Sequence, residues 1–228
     1  MKNTKQLGRT LGLLLIIVIT TGIPSTLFRG LSTSLTRTPG FLETIAGGST
    51  TVPFVVLLSF IASLSWLIIA ALVFPLMKKY SNGMALLFIA LWTICFTISL
   101  YGDIAHLSLL SIAGEAEQTS NTMGQNFRAL GFLKVKDYIW AHFITLVLYT
   151  TATLIFFYFL FKTKLIPRFL SVWGLVAISI VFIASWLNIF GIRTGEYPYL
   201  QNGLHMILLT IWLAFKGFNE NSLVPNTI

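Results

Sequence analysis

Six stretches of this chain contain no charged residue, and each is long enough to cross a lipid bilayer as one helix. They cover residues 10–28, 44–77, 80–102, 138–161, 169–192 and 197–215. A spanning helix needs about 20 apolar residues at a rise of about 1.5 Å per residue. The sequence therefore predicts an all-α integral membrane protein, a single domain over residues 1–228 with six transmembrane helices in one bundle.

The helices themselves are predicted more narrowly than the uncharged stretches. The second stretch exceeds one span and begins with glycine, serine and threonine residues, and proline is tolerated in a first turn, so its helix is predicted to begin near Pro53. The six predicted helices cover roughly residues 10–28, 53–77, 84–110, 138–161, 169–192 and 198–215.

Two of the connecting segments are long, residues 29–52 and residues 113–137. In the first, Thr38 and Pro39 favour the start of a short surface helix that Gly47 ends. The second is polar and then partly amphipathic, and it is predicted as a loop. Loops of this length often cap a helical bundle or gate a site.

The overall composition agrees with lipid as the solvent. Hydrophobic residues make up 56% of the chain and charged residues only 10%, whereas a soluble domain carries about 25% charged residues. The single Cys95 excludes an intramolecular disulfide. The net charge of +8 does not indicate a nucleic-acid partner, because the basic residues flank the apolar stretches and are better interpreted as orientation signals.

The distribution of basic residues predicts that both the N-terminus and the C-terminus lie in the cytoplasm. With this orientation the inner segments hold nine basic residues and the outer segments six, as the positive-inside rule requires. The inner residues are Lys2, Lys5, Arg9, Lys78, Lys79, Lys162, Lys164, Arg168 and Lys216, and the outer ones are Arg29, Arg37, Arg128, Lys134, Lys136 and Arg193. The N-terminal stretch is interpreted as an uncleaved first helix, because no convincing signal-peptidase site follows it.

Four stretches resemble a family of bacterial multi-pass membrane proteins, domain of unknown function 4386. They read "LGRTLGLLLIIVITTGI", "PLMKKYSNGMALLFIALW", "FLFKTKLIPRFLSVWGLVAISI" and "TIWLAFKGFN". The resemblance covers nearly the whole chain, although its motifs are mostly apolar patterns separated by basic turns. It implies a six-helix architecture and a bacterial cytoplasmic membrane, and it supplies no catalytic residue.

Polar residues inside the spans are the candidate functional residues, because they are costly in lipid. At about 1.5 Å per residue, the three histidines and the aspartate fall near the outer ends of their helices. The predicted pocket residues are Asp103, His106, His142, Asn188, Asn202 and His205. We interpret this common depth as an outward-facing polar pocket that binds a lipid or a small molecule.

Three further interpretations remain open from the residues alone. Asp103, His106, His142 and His205 are a suitable zinc set for an intramembrane hydrolase. Alternatively, the Asp–His pair carries protons in a small transporter, with dimerisation as a homodimer making up its size, and the prolines Pro24, Pro53 and Pro75 favour the helix breaks found in transporters. The simplest interpretation is that these residues lie at headgroup depth, where water satisfies them. Whether the chain is an enzyme is left undecided.

Overall fold

The computed structural model describes residues 2–29, 40–47, 50–118 and 124–219. This part of the chain forms seven α-helices and no strand, which confirms the predicted all-α class. The helices are α1 (Lys2–Leu27), α2 (Phe41–Gly47), α3 (Thr51–Tyr80), α4 (Asn82–Gln118), α5 (Gly124–Thr163), α6 (Arg168–Ile189) and α7 (Tyr197–Lys216).

The six long helices form a closed ring. Each packs against the next one along the chain, and α7 packs against α1, which closes the ring. The short helix α2 packs on α4 at one end of the bundle, called here the α2 end. The opposite end, called the terminal end, carries the start of α1 and the end of α7.

Five of these helices are long and apolar enough to cross a membrane. The qualifying segments are Thr4–Leu27, Thr51–Tyr80, Asn82–Ala116, Gln125–Thr163 and Arg168–Ile189. Large apolar side chains such as Leu13, Phe169 and Phe215 are exposed on the outside of the bundle, where a bilayer would cover them. The predicted sixth span corresponds to α7, whose first turns are polar, and it stays a prediction together with the orientation.

The predicted loop over residues 113–137 is wrong over most of its length. Helix α4 continues to Gln118 and α5 begins at Gly124, and residues 119–123 lie outside the described part. The reason is that this amphipathic segment buries one helical face against α2. Ala113 and Val135 are buried in a small core together with Phe41 and Leu42 of α2.

Helix α2 itself was anticipated. It ends at Gly47, as predicted, whereas the predicted start at Thr38 and Pro39 lies outside the described residues. Its Phe41, Leu42 and Ile45 are buried, so α2 covers the extended ends of α4 and α5.

The proline residues do not break their helices. Helix α1 continues through Pro24, and α3 contains Pro53 in its first turn and runs through Pro75. The helix breaks suggested by the transporter interpretation are therefore not found at these positions.

Helices α1 and α7 touch backbone to backbone at the terminal end. A Cβ atom added to Gly8 would collide with the backbone of Gly217 and Phe218, and one added to Gly12 would collide with the backbone of Ala214. Two glycines four residues apart are a known means of close helix packing in membranes. This contact closes the ring, and no feature of the apolar pattern had singled it out.

Candidate functional site

A buried ion pair lies at the α2 end of the bundle. Arg29, two residues beyond the end of α1, donates from Nη2 to Oδ1 of Asp103 in α4 at 2.5 Å. The two side chains are only 7% and 5% exposed. Arg29 was predicted to lie in an outer segment, but it directly follows α1 and its guanidinium neutralises the Asp103 carboxylate between the helices.

Aromatic and polar side chains of the neighbouring helices surround this pair. The guanidinium carbon of Arg29 lies 4.7 Å from the centre of the Tyr138 ring, a distance typical of a cation–π contact. The rings of His106 and His142 each lie 6.1 Å from that of Tyr138. The Ser59 hydroxyl lies beside the Asp103 carboxylate. Together these residues, Arg29, Ser59, Asp103, His106, Tyr138 and His142, are called the ion-pair cluster.

The ion-pair cluster contains several buried polar atoms without a hydrogen-bond partner among the described residues. They include Nη1 of Arg29, Oδ2 of Asp103 and both ring nitrogens of His106. Most buried polar groups in proteins are hydrogen-bonded. The cluster therefore has an unused hydrogen-bond donor on Arg29 and an unused acceptor on Asp103.

Most other hydroxyl groups in the long helices are satisfied within their own helix. Thr20, Thr150 and Ser185 each donate to the carbonyl four residues earlier, at 2.7–2.8 Å. Such bonds use the one donor of each hydroxyl. Thr145 is different, because its hydroxyl makes no such bond and lies next to His142 in a cavity wall.

Two adjoining cavities open beside the ion-pair cluster. The first, of about 90 Å³, is lined by Arg29, Ser59, Tyr138 and His142 among others. The second, of about 240 Å³, extends further along the bundle. The cavities share six lining residues, Ser25, Thr26, Ser59, Ser99, His142 and Thr145, so they form a polar mouth and a deeper compartment.

Aromatic residues form the wall of the deeper compartment. The Trp66 and Trp92 rings stack with centres 4.7 Å apart, and the Tyr149 ring meets both edge-on at 5.6 and 5.7 Å. The buried Cys95 also lines this compartment. Asn202 of α7 lies beside the Tyr149 hydroxyl, so it borders the aromatic wall and does not contact the ion pair.

His205 does not join the ion-pair cluster. Its Nε2 lies 2.9 Å from the Leu170 carbonyl, and its ring packs edge-on against Phe157 and Trp173. Gly174 leaves the space for this ring, since a Cβ atom there would meet it. Leu170 is in the first turn of α6, far from the α2 end.

Asn188 has a structural environment of its own at the last turn of α6. Its amide nitrogen donates to the Ala184 carbonyl, the Thr194 hydroxyl and the Tyr199 hydroxyl, at 2.8–3.2 Å. These bonds hold the turn between α6 and α7. His205 therefore lies deeper than the common layer that was predicted for it and Asn188.

The predicted depth of His205 differs from its position in the structure because α6 and α7 are offset along their axes. Gln201, in the second turn of α7, donates to the carbonyl of Ala177 near the middle of α6. Helix α7 thus begins well below the end of α6, and a residue in its third turn reaches the first turns of α6. Estimating the depth of a residue by counting residues from the start of its helix assumes that all helices begin at the same level of the membrane.

The proposed zinc ligands are not gathered at one point. Within the described ranges, no three side chains of histidine, cysteine, aspartate or glutamate are grouped closely enough to hold a metal ion. Asp103 is bonded to Arg29, and His205 is bonded to Leu170 on another part of the ring. Of the six predicted pocket residues, the structure brings together Asp103, His106 and His142.

Sequence reasoning missed Arg29, Ser59, Tyr138 and Tyr149 as site residues. One signal in the sequence could have found Arg29. It directly follows the uncharged stretch 10–28, on the predicted outer side, where the positive-inside rule disfavours a basic residue.

Comparison with known proteins gives a family and no characterised relative. No curated protein and no solved structure matches the chain. The model of the family described as domain of unknown function (DUF4386) matches residues 10–217. That match, with the five apolar helices, identifies a multi-pass membrane protein. The chain belongs to the family named domain of unknown function 4386.

Proposed function

We propose that this protein is an integral membrane protein of six spans that binds a small amphiphile with a neutral polar headgroup. The headgroup would lie at the ion-pair cluster, and the apolar chain in the aromatic compartment. One observation carries this proposal: a charge-neutral buried ion pair with unused donors and acceptors adjoins a largely apolar cavity.

The proposed topology places both termini in the cytoplasm and the α2 end outside. It is supported by contacts between the two ends of the ring. Arg9 of α1 donates to the Phe215 carbonyl of α7 at 3.2 Å, and Gly217 touches the backbone of Lys5. The start of the first long helix and the end of the last one therefore share one end of the bundle, as an even number of crossings requires.

The ion-pair cluster favours a headgroup that carries no net charge. Arg29 and Asp103 neutralise each other, so an added charge would be buried without a counter-ion, which is costly. The free Nη1 of Arg29 and the free Thr145 hydroxyl both belong to residues that line the mouth, where Nη1 needs an acceptor and the hydroxyl oxygen can accept from a donor. A hydroxyl or a primary amide supplies both from one group.

The compartment beyond the headgroup favours a short apolar chain. Its wall consists mainly of Trp66, Trp92, Phe96 and Leu146, with Tyr149 at one side. Ligand pockets typically have volumes of about 300–1,000 Å³, and the two cavities together reach the lower end of that range. A single short alkyl chain fits this space, whereas a two-chain phospholipid does not.

A brominated alcohol tests the proposal, because bromine quenches the fluorescence of tryptophans that it touches. We expect bromoundecanol to give saturable quenching in protein reconstituted into nanodiscs. The saturable component should disappear in a Trp66→Phe/Trp92→Phe variant. It should persist in Trp140→Phe/Trp186→Phe, because those two side chains are exposed on the outside of the bundle.

The same assay tests the headgroup. Bromoundecanoate and the corresponding amine should bind at least about tenfold more weakly, because a buried unpaired charge costs more than 1.4 kcal/mol. Quenching that rises linearly with concentration, and that is equal in both double variants, would show only partition into the lipid. That outcome would rule out the proposed binding site.

The two other candidate functions receive less support. A zinc hydrolase needs ligands that converge, whereas among the described residues no three candidate ligands are close enough to share one ion, and His205 lies apart. A proton-coupled transporter of the kind considered would have interrupted helices, whereas α1 and α3 are continuous through their prolines.

A further inference from the structure

A second cavity, of about 500 Å³, lies at the terminal end of the bundle. It is separate from the ion-pair cluster and shares no lining residue with it. Four basic residues line it: Lys5 of α1, Lys164 directly after α5, Arg168 at the start of α6 and Lys216 at the end of α7. This cavity is called here the basic cavity.

The walls of the basic cavity are held by backbone contacts. Gly217 adopts a φ of 71° and touches the backbone of Lys5, which fixes the end of α7 against α1. Further along, the Asn219 amide donates to the Leu165 carbonyl at 2.9 Å. Three separate chain segments are thus tied together around the space, so the cavity is a defined part of the fold.

Positive charge gathers at this cavity. Among the described residues that line it, none is an aspartate or a glutamate, and Lys5, Arg168 and Lys216 bring cations from α1, α6 and α7. Helix α6 begins at Arg168 with no side-chain cap on its N-terminus, and the positive end of its dipole adds to the field. Such a site attracts an anion.

The remaining lining residues indicate where that anion comes from. Trp212 is half-buried in the wall, and tryptophan prefers the headgroup level of a bilayer. The neighbouring Phe169 and Phe215 are exposed on the outside of the ring, where acyl chains would lie. The cavity therefore adjoins both polar and apolar parts of a membrane leaflet.

We infer that the basic cavity binds the phosphate headgroup of an anionic phospholipid from the leaflet at the terminal end. Basic pockets between transmembrane helices on the cytoplasmic side bind such headgroups, and arginine pairs with phosphate in a two-bond geometry. This inference does not depend on the amphiphile site, and each can fail without the other.

Native mass spectrometry of the full chain in detergent tests this inference with three probes: phosphatidylglycerol, phosphatidylcholine and inorganic phosphate. We expect saturable binding of phosphatidylglycerol, much weaker binding of phosphatidylcholine, and weak competition by inorganic phosphate. The variant Arg168→Gln/Lys216→Gln should bind phosphatidylglycerol about tenfold or more weakly, because each basic residue near the surface contributes several-fold.

The matched control is Lys78→Gln/Lys79→Gln, which removes the same charge from the exposed end of α3, outside the cavity. It should leave the affinity unchanged within about twofold. A second variant, Lys5→Gln, removes one cavity charge from α1 and should weaken binding severalfold, which keeps the test valid if the double variant fails to fold.

Three results would overturn the inference. Equal weakening in the cavity and control variants would mean attraction to the basic surface in general. Equal affinity for phosphatidylcholine would remove the role of charge. Inorganic phosphate that binds as tightly as phosphatidylglycerol would identify a free anion as the ligand, and not a lipid.

Discussion

Replacing Arg29 with methionine is expected to lower the free energy of unfolding by about 3–5 kcal/mol, since it leaves Asp103 buried without its cation. The carboxylate is 5% exposed and accepts its ion-pair hydrogen bond from Arg29. Methionine keeps most of the packing volume, so the loss reports charge and hydrogen bonding. The measurement is reversible unfolding in mixed micelles with increasing dodecyl sulfate, followed by tryptophan fluorescence.

A double variant distinguishes the effect of leaving a charge unpaired from the effect of changed side-chain packing. Arg29→Met/Asp103→Leu removes both charges and should recover most of the lost stability, because apolar replacement of a buried pair is often neutral. The control is Lys134→Met, which breaks the pair with Asp137, a partly exposed one whose side chains are 33% and 23% exposed. That change should cost at most about 1 kcal/mol. If the loss of unfolding free energy in the double variant equals the sum of the losses in the two single variants, the Arg29–Asp103 ion pair is not the cause.

Replacing Gly12 with leucine is expected to cost about 3 kcal/mol or more, at the upper end of the range for overpacking. The new side chain would collide with the backbone of Leu213 and Ala214, which cannot rotate away. Helix α1 must then separate from α7, which opens the ring between its first and last members. A lower melting temperature and faster proteolysis of α7 would record this effect.

The control for this prediction lies on the same helix pair. Gly203 of α7 has no neighbour within 4 Å of an added Cβ atom, so Gly203→Leu should be neutral or slightly stabilising, because leucine favours a helix more than glycine does. Equal losses in the two variants would mean that the close contact of α1 and α7 contributes little.

The six long helices could be predicted because their physical cause is local. An uncharged stretch of sufficient length must hydrogen-bond its own backbone in lipid, and only a helix does so within one segment. The short helix α2 was predictable for a similar reason, since Gly47 marks its end. The extensions of α4 and α5 were not, because their polar composition is typical of a loop until α2 supplies a buried partner for Ala113 and Val135.

The candidate site could be predicted only in part. Asp103, His106 and His142 were found through their predicted positions near helix ends, and they do lie around Tyr138. The helix ends themselves were wrong, because α4 and α5 continue for several turns beyond these residues. Arg29 was missed because its pairing with Asp103 joins residues 74 positions apart, which no local pattern encodes. His205 was misplaced because the offset between α6 and α7 depends on packing.

The most direct test of the amphiphile site uses a single thiol in the shared wall of the two cavities. Ser99 lines both cavities, and Thr97 on the same helix is exposed on the outside of the bundle. Each is changed to cysteine in a Cys95→Ser background, so the chain carries one thiol. A charged, membrane-impermeant methanethiosulfonate is then added from outside the cell.

The account predicts that Ser99→Cys is labelled, that Thr97→Cys is not, and that saturating bromoundecanol slows labelling at Ser99→Cys. A lipid-facing thiol stays unlabelled because the reagent needs water. Equal labelling of the two positions, or no protection by the alcohol, would contradict the claim that an outward-opening cavity beside the Arg29–Asp103 pair binds an amphiphile.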